Sequence, residues 1–307
     1  MRLRSVFTAI TVLVLFSLPT LGQRLVVVGW NLESGESSDT FIANRVRTFQ
    51  GVDLWGLSEV LNDTTVSIFE TAAEDGENAD FRRVLSESGG ADRLAIIYNA
   101  TRFTLLRQME LHRITYDSDT LPPGRNQRSP LVVELRENAS GKQFMFMVNH
   151  LARGDNDLRR LQAERLNTWV RQQTVPVIAT GDYNFDWEVS GGDTNHDVGY
   201  DRMIAQSAWS WVRPTTLIKS QCDANHNSVL DFVFVNAAAR NWQGSAIILQ
   251  VPGDCNDDNE KPDHRPVQAE FNLSGSGGVP TKAELLQQVQ EVERQLQQLR
   301  ALIERLP

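Results

Sequence analysis

Six short stretches of this chain carry side chains suited to acid–base or metal chemistry. They are Gly29-Trp30-Asn31-Leu32-Glu33, Leu57-Ser58-Glu59-Val60, Asn149-His150-Leu151, Gly181-Asp182-Tyr183-Asn184-Phe185-Asp186, Asp231 within the run Ser228 to Val235, and Lys261-Pro262-Asp263-His264-Arg265. Singly each is commonplace, since a glutamate after a strand is usually just solvated and Asp-x-Asn is a frequent turn. Together they supply carboxylates, amides and two histidines. Hard carboxylate oxygens such as those of Glu59 suit Mg²⁺ or Mn²⁺, which take one or two protein carboxylates and keep several waters. Histidine titrates near neutrality and can move a proton in either direction. Cleavage of a phosphate ester asks for this set: a cation for the non-bridging oxygens, an activated water in line with the leaving oxygen, and a proton for that oxygen. Glu59 is the first candidate for a metal ligand, and Asn31 can add a carbonyl oxygen or hold a water.

Such side chains need a rigid frame, and the stretches follow or sit in segments that read as strands. Leu25 to Val28, Asp53 to Gly56, Leu94 to Tyr98, Leu131 to Val133, Phe144 to Val148, Val175 to Ala179 and Val229 to Val235 are β-rich and apolar, several enough so to be buried on both faces. A last strand opens at Val267. Thr40 to Phe49, Thr64 to Ala73 and Asp157 to Arg171 have amphipathic helical spacing. Strand follows strand often, so two packed sheets with helices outside fit better than one doubly wound sheet. No internal repeat is visible.

Taken in this order, the six stretches resemble the endonuclease/exonuclease/phosphatase superfamily, and the resemblance runs from Arg24 to about Asn272. It implies an α+β fold, a four-layer α/β sandwich of two mostly antiparallel sheets flanked by helices. It implies a metal site at Glu59 with Asn31, and Asp263 close enough to share a second metal position. Asp182 would position or deprotonate the attacking water, Asn184 would hydrogen-bond a phosphate oxygen, and His264 would bind the scissile phosphate or move a proton. Whether Asp182 or His264 is the base stays open. Asp231, costly to bury unpaired, would back His150 as general acid. Asp92, ahead of the strand Leu94 to Tyr98, would orient His264. Mg²⁺ or Mn²⁺ is the expected cofactor.

Several features bear on setting. Arg2 and Arg4, an apolar run from Val6 to Leu18 and small residues through Gly22 have the plan of a secretory signal, residues 1 to 22, and imply a secreted or periplasmic protein without a lasting membrane anchor. In an oxidising compartment Cys222 and Cys255, the only cysteines, pair as one disulfide. The catalytic domain then spans residues 23 to 273, followed by a Gly/Ser linker over 274 to 280. From Thr281 to Pro307, Leu285, Val289, Val292, Leu296, Leu299, Ile303 and Leu306 alternate steps of four and three, a coiled-coil seam of about three heptads that needs a partner and points to a homo-oligomer.

Asp193 to Asp201 alternates oxygen side chains as calcium loops do, but its glycine comes late and no closing glutamate follows, so Ca²⁺ is a possible ligand beside the reading as a solvated loop. Arg125, Arg128, Arg153, Arg159 and Arg160 could line a route for a phosphodiester strand. With 30 Lys and Arg against 39 Asp and Glu, the net charge of -9 excludes broad electrostatic capture of nucleic acid. A metal-centred nuclease with a small footprint is still compatible with it. The leading expectation is an exported phosphodiesterase, nucleic acid slightly favoured. Beside it stand a phospholipid phosphodiesterase or phosphomonoesterase, and a non-catalytic assembly protein using the coiled coil.

Overall fold

Alternate side chains of β1 (Arg24–Asn31) enter two different cores. Leu25 and Val27 join one, while Val26, Val28 and Trp30 join the other, all buried. That period of two, apolar on both faces, is what a central strand between two covered faces requires. The computed structural model describes residues 24–124, 126–250, 253, 255 and 260–273. The expected signal segment, linker and coiled-coil tail, and Arg125, lie outside the described residues.

Along the chain follow α1 (Asp39–Thr48), β2 (Leu54–Val60), α2 (Asp63–Glu77), β3 (Phe81–Leu85), β4 (Arg93–Asn99), β5 (Phe103–Glu110), α3 (His112–Tyr116), β6 (Leu131–Glu137), β7 (Gln143–His150), α4 (Asn156–Val170), β8 (Val177–Glu188), α5 (Val198–Ile204), β9 (Trp209–Trp211), β10 (Ser228–Asn236), β11 (Ser245–Ile248) and β12 (Val267–Asn272). They build two six-stranded sheets, ordered β11-β12-β1-β2-β4-β3 and β5-β6-β7-β8-β10-β9. This is the expected sandwich. Ser38 and Asn62 cap α1 and α2, each accepting a bond from the third residue on, and both helices press on the outer face of the first sheet.

Each sheet has one parallel pair at its centre and antiparallel neighbours on either side. The pairs, β1 with β2 and β7 with β8, are each joined by a helical crossover, α1 and α4. Two parallel strands end on the same side, so each pair offers two polar ends at one edge of the sandwich. Asn31 closes β1 opposite Ser58, the residue before Glu59, and His150 closes β7 opposite Asp182. The same arrangement thus occurs twice in a chain whose sequence carries no visible repeat.

The sheets approach most closely just beneath these ends. A Cβ on Gly29 would sit 1.8 Å from Thr180 Oγ1, and one on Gly56 would sit 2.4 Å from Thr180 Cγ2 and 3.2 Å from the Phe146 ring. Thr180 is fully buried and its hydroxyl has no partner. Gly56→Ala should therefore cost about 1–3 kcal/mol by overpacking. The double variant Gly56→Ala/Thr180→Ala, which removes the obstructing atoms, should regain most of that in urea denaturation. Equal losses in the single and double variants would refute the close-approach account.

One expected boundary moves. The strand taken to end at Ala179 runs on as β8 to Glu188, so Asp182 and Asn184 lie within a strand, not beyond it. Asn184 and Asp186 hold positive φ there, and the strand still pairs with β10 from Ile178 to Glu188, across an irregularity between Val229 and Asp231. Turn-like residues in the sequence mark this distortion of the strand, where the expectation was its end.

Candidate active site

Three strands of the second sheet and the ends of two strands of the first bring the expected residues together. Asp231 of β10 faces Asp182 of β8 in register, and Asp182 faces His150 of β7. From the other sheet Asn31 Nδ2 donates to Glu59 Oε1 at 2.9 Å and to Asp182 Oδ2 at 3.3 Å, joining the two sheets across the cleft. The amide oxygen of Asn31 accepts from the Glu33 N–H at 3.2 Å. Asn31 thus holds two carboxylates by its nitrogen, where the sequence offered it as a carbonyl ligand or the holder of a water. Glu59 and Asn184 both sit at positive φ, 56° and 52°, backbone strain of the kind that accumulates at working sites. The backbone N–H of Asn184 donates to Asp182 Oδ1 at 2.9 Å, and its side chain donates to the Leu151 carbonyl at 3.2 Å.

Both histidines are present, with their carboxylates exchanged relative to expectation. Asp231 Oδ2 meets His264 Nδ1 at 2.7 Å, and Asp92 Oδ1 faces His150 Nδ1 at 3.6 Å. The reason is topological. Asp92 precedes β4, which lies beside β2 and near the cleft end of β7, whereas the segment holding His264 crosses to the second sheet through an isolated bridge to Gln221. Ser220, next to that bridge, accepts at its Oγ from the N–H groups of Leu230 and Asp231 at 2.8 and 3.1 Å. The expected disulfide, Cys222 to Cys255 with Cα atoms 5.1 Å apart, anchors the same segment, and the Cys222 N–H donates to the Asp263 carbonyl. Trp30 Nε1 fixes the His264 carbonyl at 2.9 Å.

Each ring turns its other nitrogen toward one atom: Asp182 Oδ2 lies 3.5 Å from His150 Nε2 and 3.9 Å from His264 Nε2. Burial works against a charge on His264, but the carboxylates of Asp231, Asp182 and Asp263 outweigh it and push its pKa up to about 10. Burial raises the Asp231 carboxyl as well, so the ring and the carboxyl hold one proton between them at neutral pH.

The carboxylates outnumber the histidines. Burial raises Glu59, with His150 and the Asn31 bond opposing and the Asp92 and Asp182 carboxylates adding to the rise. Burial and the facing Asp263 likewise push Glu33 up to about 7, and Glu33 Oε2 accepts from the Asp263 N–H. Glu33, quoted in the first motif without a role, is thus part of the site's rim. One ligand atom each from Glu59, Asp92 and His150 lies within 4.8 Å of the others, so the three could hold a metal ion. Of these, Glu59 is the hard oxygen donor without an ion pair to an arginine; Asp92 is bound to Arg128 at 2.9 Å. A divalent cation fits this excess of half-buried oxygen donors. Asp263 is on the rim, 3.8 Å from His264 Nε2, and outside the group around Glu59.

Other expectations resolve differently. The carboxylates of Asp193, Asp197 and Asp201 are taken by Arg213, Arg159 and His196, so the loop read as possible calcium ligands is tied to protein partners. Arg159 is buried against Asp197 and the Ala152 carbonyl, which removes it from any strand route, while Arg160 is partly exposed and pairs with Glu164 on its own helix. Among the described arginines of that group, Arg128 alone touches a site carboxylate.

No protein-family model matches the chain, and no curated protein matches it. In three dimensions it is similar to an endonuclease/exonuclease/phosphatase family protein from Bacteroides thetaiotaomicron (17% identity, TM-score 0.60, covering 81% of this chain and 97% of that one). It is also similar to a mannosyl-6-phosphatase of the same organism (18% identity, TM-score 0.58, 80% and 99%). A third such structure is D. rerio TDP2 complexed with a single-strand DNA product (14% identity, TM-score 0.60, 81% and 99%). At these identities the likeness is one of fold.

Proposed function

We propose that this chain, which has the endonuclease/exonuclease/phosphatase fold, is an exported, divalent-metal-dependent phosphodiesterase, with nucleic acid as the favoured substrate. The observation that carries it is the convergence of two histidine Nε2 atoms on Asp182 Oδ2, with Asp231 bonded to Nδ1 of His264 and Asp92 facing Nδ1 of His150. Two proton-handling rings flanking one carboxylate serve a reaction with an entering and a departing oxygen. Glu59 would hold Mg²⁺ or Mn²⁺, with Asn31 steadying it and Asp263 near a second position. The ion would supply charge neutralisation on the non-bridging oxygens.

The residues then divide the work. His264 donates from Nε2 to a phosphate oxygen, and Asp182 takes the base role. Asp182 orients and deprotonates the attacking water, and Asn184 holds Asp182 and offers its remaining amide hydrogen to the phosphate. His150, with Asp92 at Nδ1, delivers a proton to the leaving oxygen. The disulfide supports an oxidising compartment. Among the described residues no helix is long and apolar enough to cross a membrane.

The mature protein should hydrolyse bis-p-nitrophenyl phosphate and DNA or RNA with Mg²⁺ or Mn²⁺, and lose that activity in EDTA. Faster turnover of p-nitrophenyl phosphate or sphingomyelin would reassign the substrate to a monoester or a lipid. No hydrolysis of any of these, or indifference to EDTA, would refute the enzyme.

A further inference from the structure

Asp92 serves two partners and satisfies one. Its Oδ2 binds Arg128 Nη1 at 2.9 Å. Its Oδ1 stops 3.6 Å from His150 Nδ1, beyond hydrogen-bonding distance, and both of these buried atoms lack any hydrogen-bond partner. Two buried complementary groups left unpaired so close together are costly, and a small shift of Asp92 would join them. The guanidinium holds the other oxygen of the same carboxylate.

Arg128 is itself incompletely used. Its side chain is only 11% exposed, its buried Nε–H has no acceptor, and Nη2 reaches the Leu151 carbonyl only at 3.5 Å. The peptide unit that follows it is held at both polar atoms: the Arg128 carbonyl accepts from Thr115 Oγ1, and the N–H of the next residue, Ser129, donates to Ser88 Oγ. The side chain can turn while the main chain stays. It lines a cleft of about 550 Å³ with Gly89, Asp92, Asn126 and Gln127, and Asp92 is the lining residue that faces His150. Gly89, at φ 101°, makes the tight turn that presents Asp92, whose N–H donates to the Gly89 carbonyl.

We propose that Arg128 is a positioning residue that reads a second phosphate next to the scissile one and, in turning to it, releases Asp92 to His150. A guanidinium prefers the bidentate grip of a phosphate, and on turning Arg128 would bring to that grip the Nε–H that is buried and unused in this structure. Asp92, released, accepts the Nδ1–H of His150 and fixes the ring with Nε2 toward the leaving oxygen. The device rests on the phosphodiesterase reading and deepens it: the preferred substrate is a phosphodiester chain, not an isolated diester. Recognition of the neighbour then appears in the chemical step as well as in binding.

The test compares a dithymidine monophosphate with the same molecule carrying one further terminal phosphate, at the 5′ or at the 3′ end, beside bis-p-nitrophenyl phosphate. The added phosphate, at one of the two ends, should raise kcat/KM about tenfold to a hundredfold, the range of a charge-assisted bond, with part of the gain in kcat. In Arg128→Ala the ratio between phosphorylated and unphosphorylated substrates should fall to near one. Arg128→Lys, which keeps the charge and loses the fork, should recover a minor part of it. A gain confined to KM, no gain from either phosphate, or a ratio that persists in Arg128→Ala would overturn the proposal. The first two outcomes are read on the wild type and do not depend on a variant folding. Turnover of bis-p-nitrophenyl phosphate alongside a ratio of one sinks only the Arg128 device, whereas no turnover of any substrate sinks the phosphodiesterase reading as well.

Discussion

His264→Ala should lower kcat on a phosphodiester by about 10²–10⁴-fold, the span of a lost proton-handling group. It should also destabilise the fold, and the two losses can be separated. Asp231 is 3% exposed and its second oxygen has no hydrogen-bond partner, so removing the ring strands a buried carboxylate. Breaking a buried pair from one side costs about 3–5 kcal/mol. In His264→Ala/Asp231→Asn the charge is gone, so most of that stability should return while activity stays low. A double variant as unstable as the single one would refute the ion pair, and a single variant with near wild-type kcat would refute the catalytic role. The backbone contacts of His264, to the Trp30 indole and across the Gln221 bridge, are untouched by either change.

The same pair fixes a pH dependence. His264 has its folded pKa raised from 6.5 to about 10, so its contribution to stability is full below about pH 6.5 and is lost as pH rises through about 10. Activity that needs the imidazolium should hold through neutrality and fall on the alkaline side. Asp231→Asn alone should move that alkaline limb toward neutrality, because the carboxylate that opposes the effect of burial is then missing. A pH profile unchanged by Asp231→Asn would argue against the assignment.

The identities of the site residues could be read from the sequence, and so could the middle of each sheet. The eight strands read from apolar patterning are β1, β2, β4, β6, β7, β8, β10 and β12, the inner strands of the two sheets. The four that were not read, β3, β5, β9 and β11, are the four sheet edges. An edge strand is covered less fully, so its pattern is diluted by residues such as Arg82, Arg107, Gln108 and Ser245, all exposed. The helices α3 and α5 are too short, at 5 and 7 residues, to show a helical period.

What the sequence did not yield is which histidine meets which carboxylate. An aspartate in an apolar strand reveals that it is buried, but its partner comes from another part of the chain. Asp231 belongs to the second sheet and His264 leads into β12 of the first; the contact exists because the segment through Ser220 and Cys222 bridges them. Arg128 was visible only as one arginine among several. Its distinction, being nearly buried beside Asp92 with an unused Nε–H, is three-dimensional and has no signature in spacing.

Glu59→Gln should abolish the response to metal while leaving the fold in place. The substitution is isosteric, and the Asn31 Nδ2 bond at 2.9 Å can be accepted by the glutamine oxygen as well as by the carboxylate. What it removes is the hard anionic donor, so turnover with Mn²⁺ should fall about 10²–10⁴-fold, several kcal/mol of lost charge stabilisation. Binding linkage gives a second readout that does not require turnover. An ion present at about a hundred times its dissociation constant adds about 2.7 kcal/mol of stability, so Mn²⁺ should raise the melting temperature of the wild type and leave Glu59→Gln unmoved. The effect should also grow with pH. Glu33, raised from 4.5 to about 7 by burial and by Asp263, contributes stability that is full below pH 4.5 and lost as pH rises through about 7. Above that window the rim carries one more uncompensated negative charge, which a dication offsets. The Mn²⁺-induced shift in melting temperature should therefore be larger at pH 8 than at pH 5. An equal shift in Glu59→Gln and the wild type would move the metal away from Glu59, and with it the reading of the cleft as a metal-dependent phosphodiesterase.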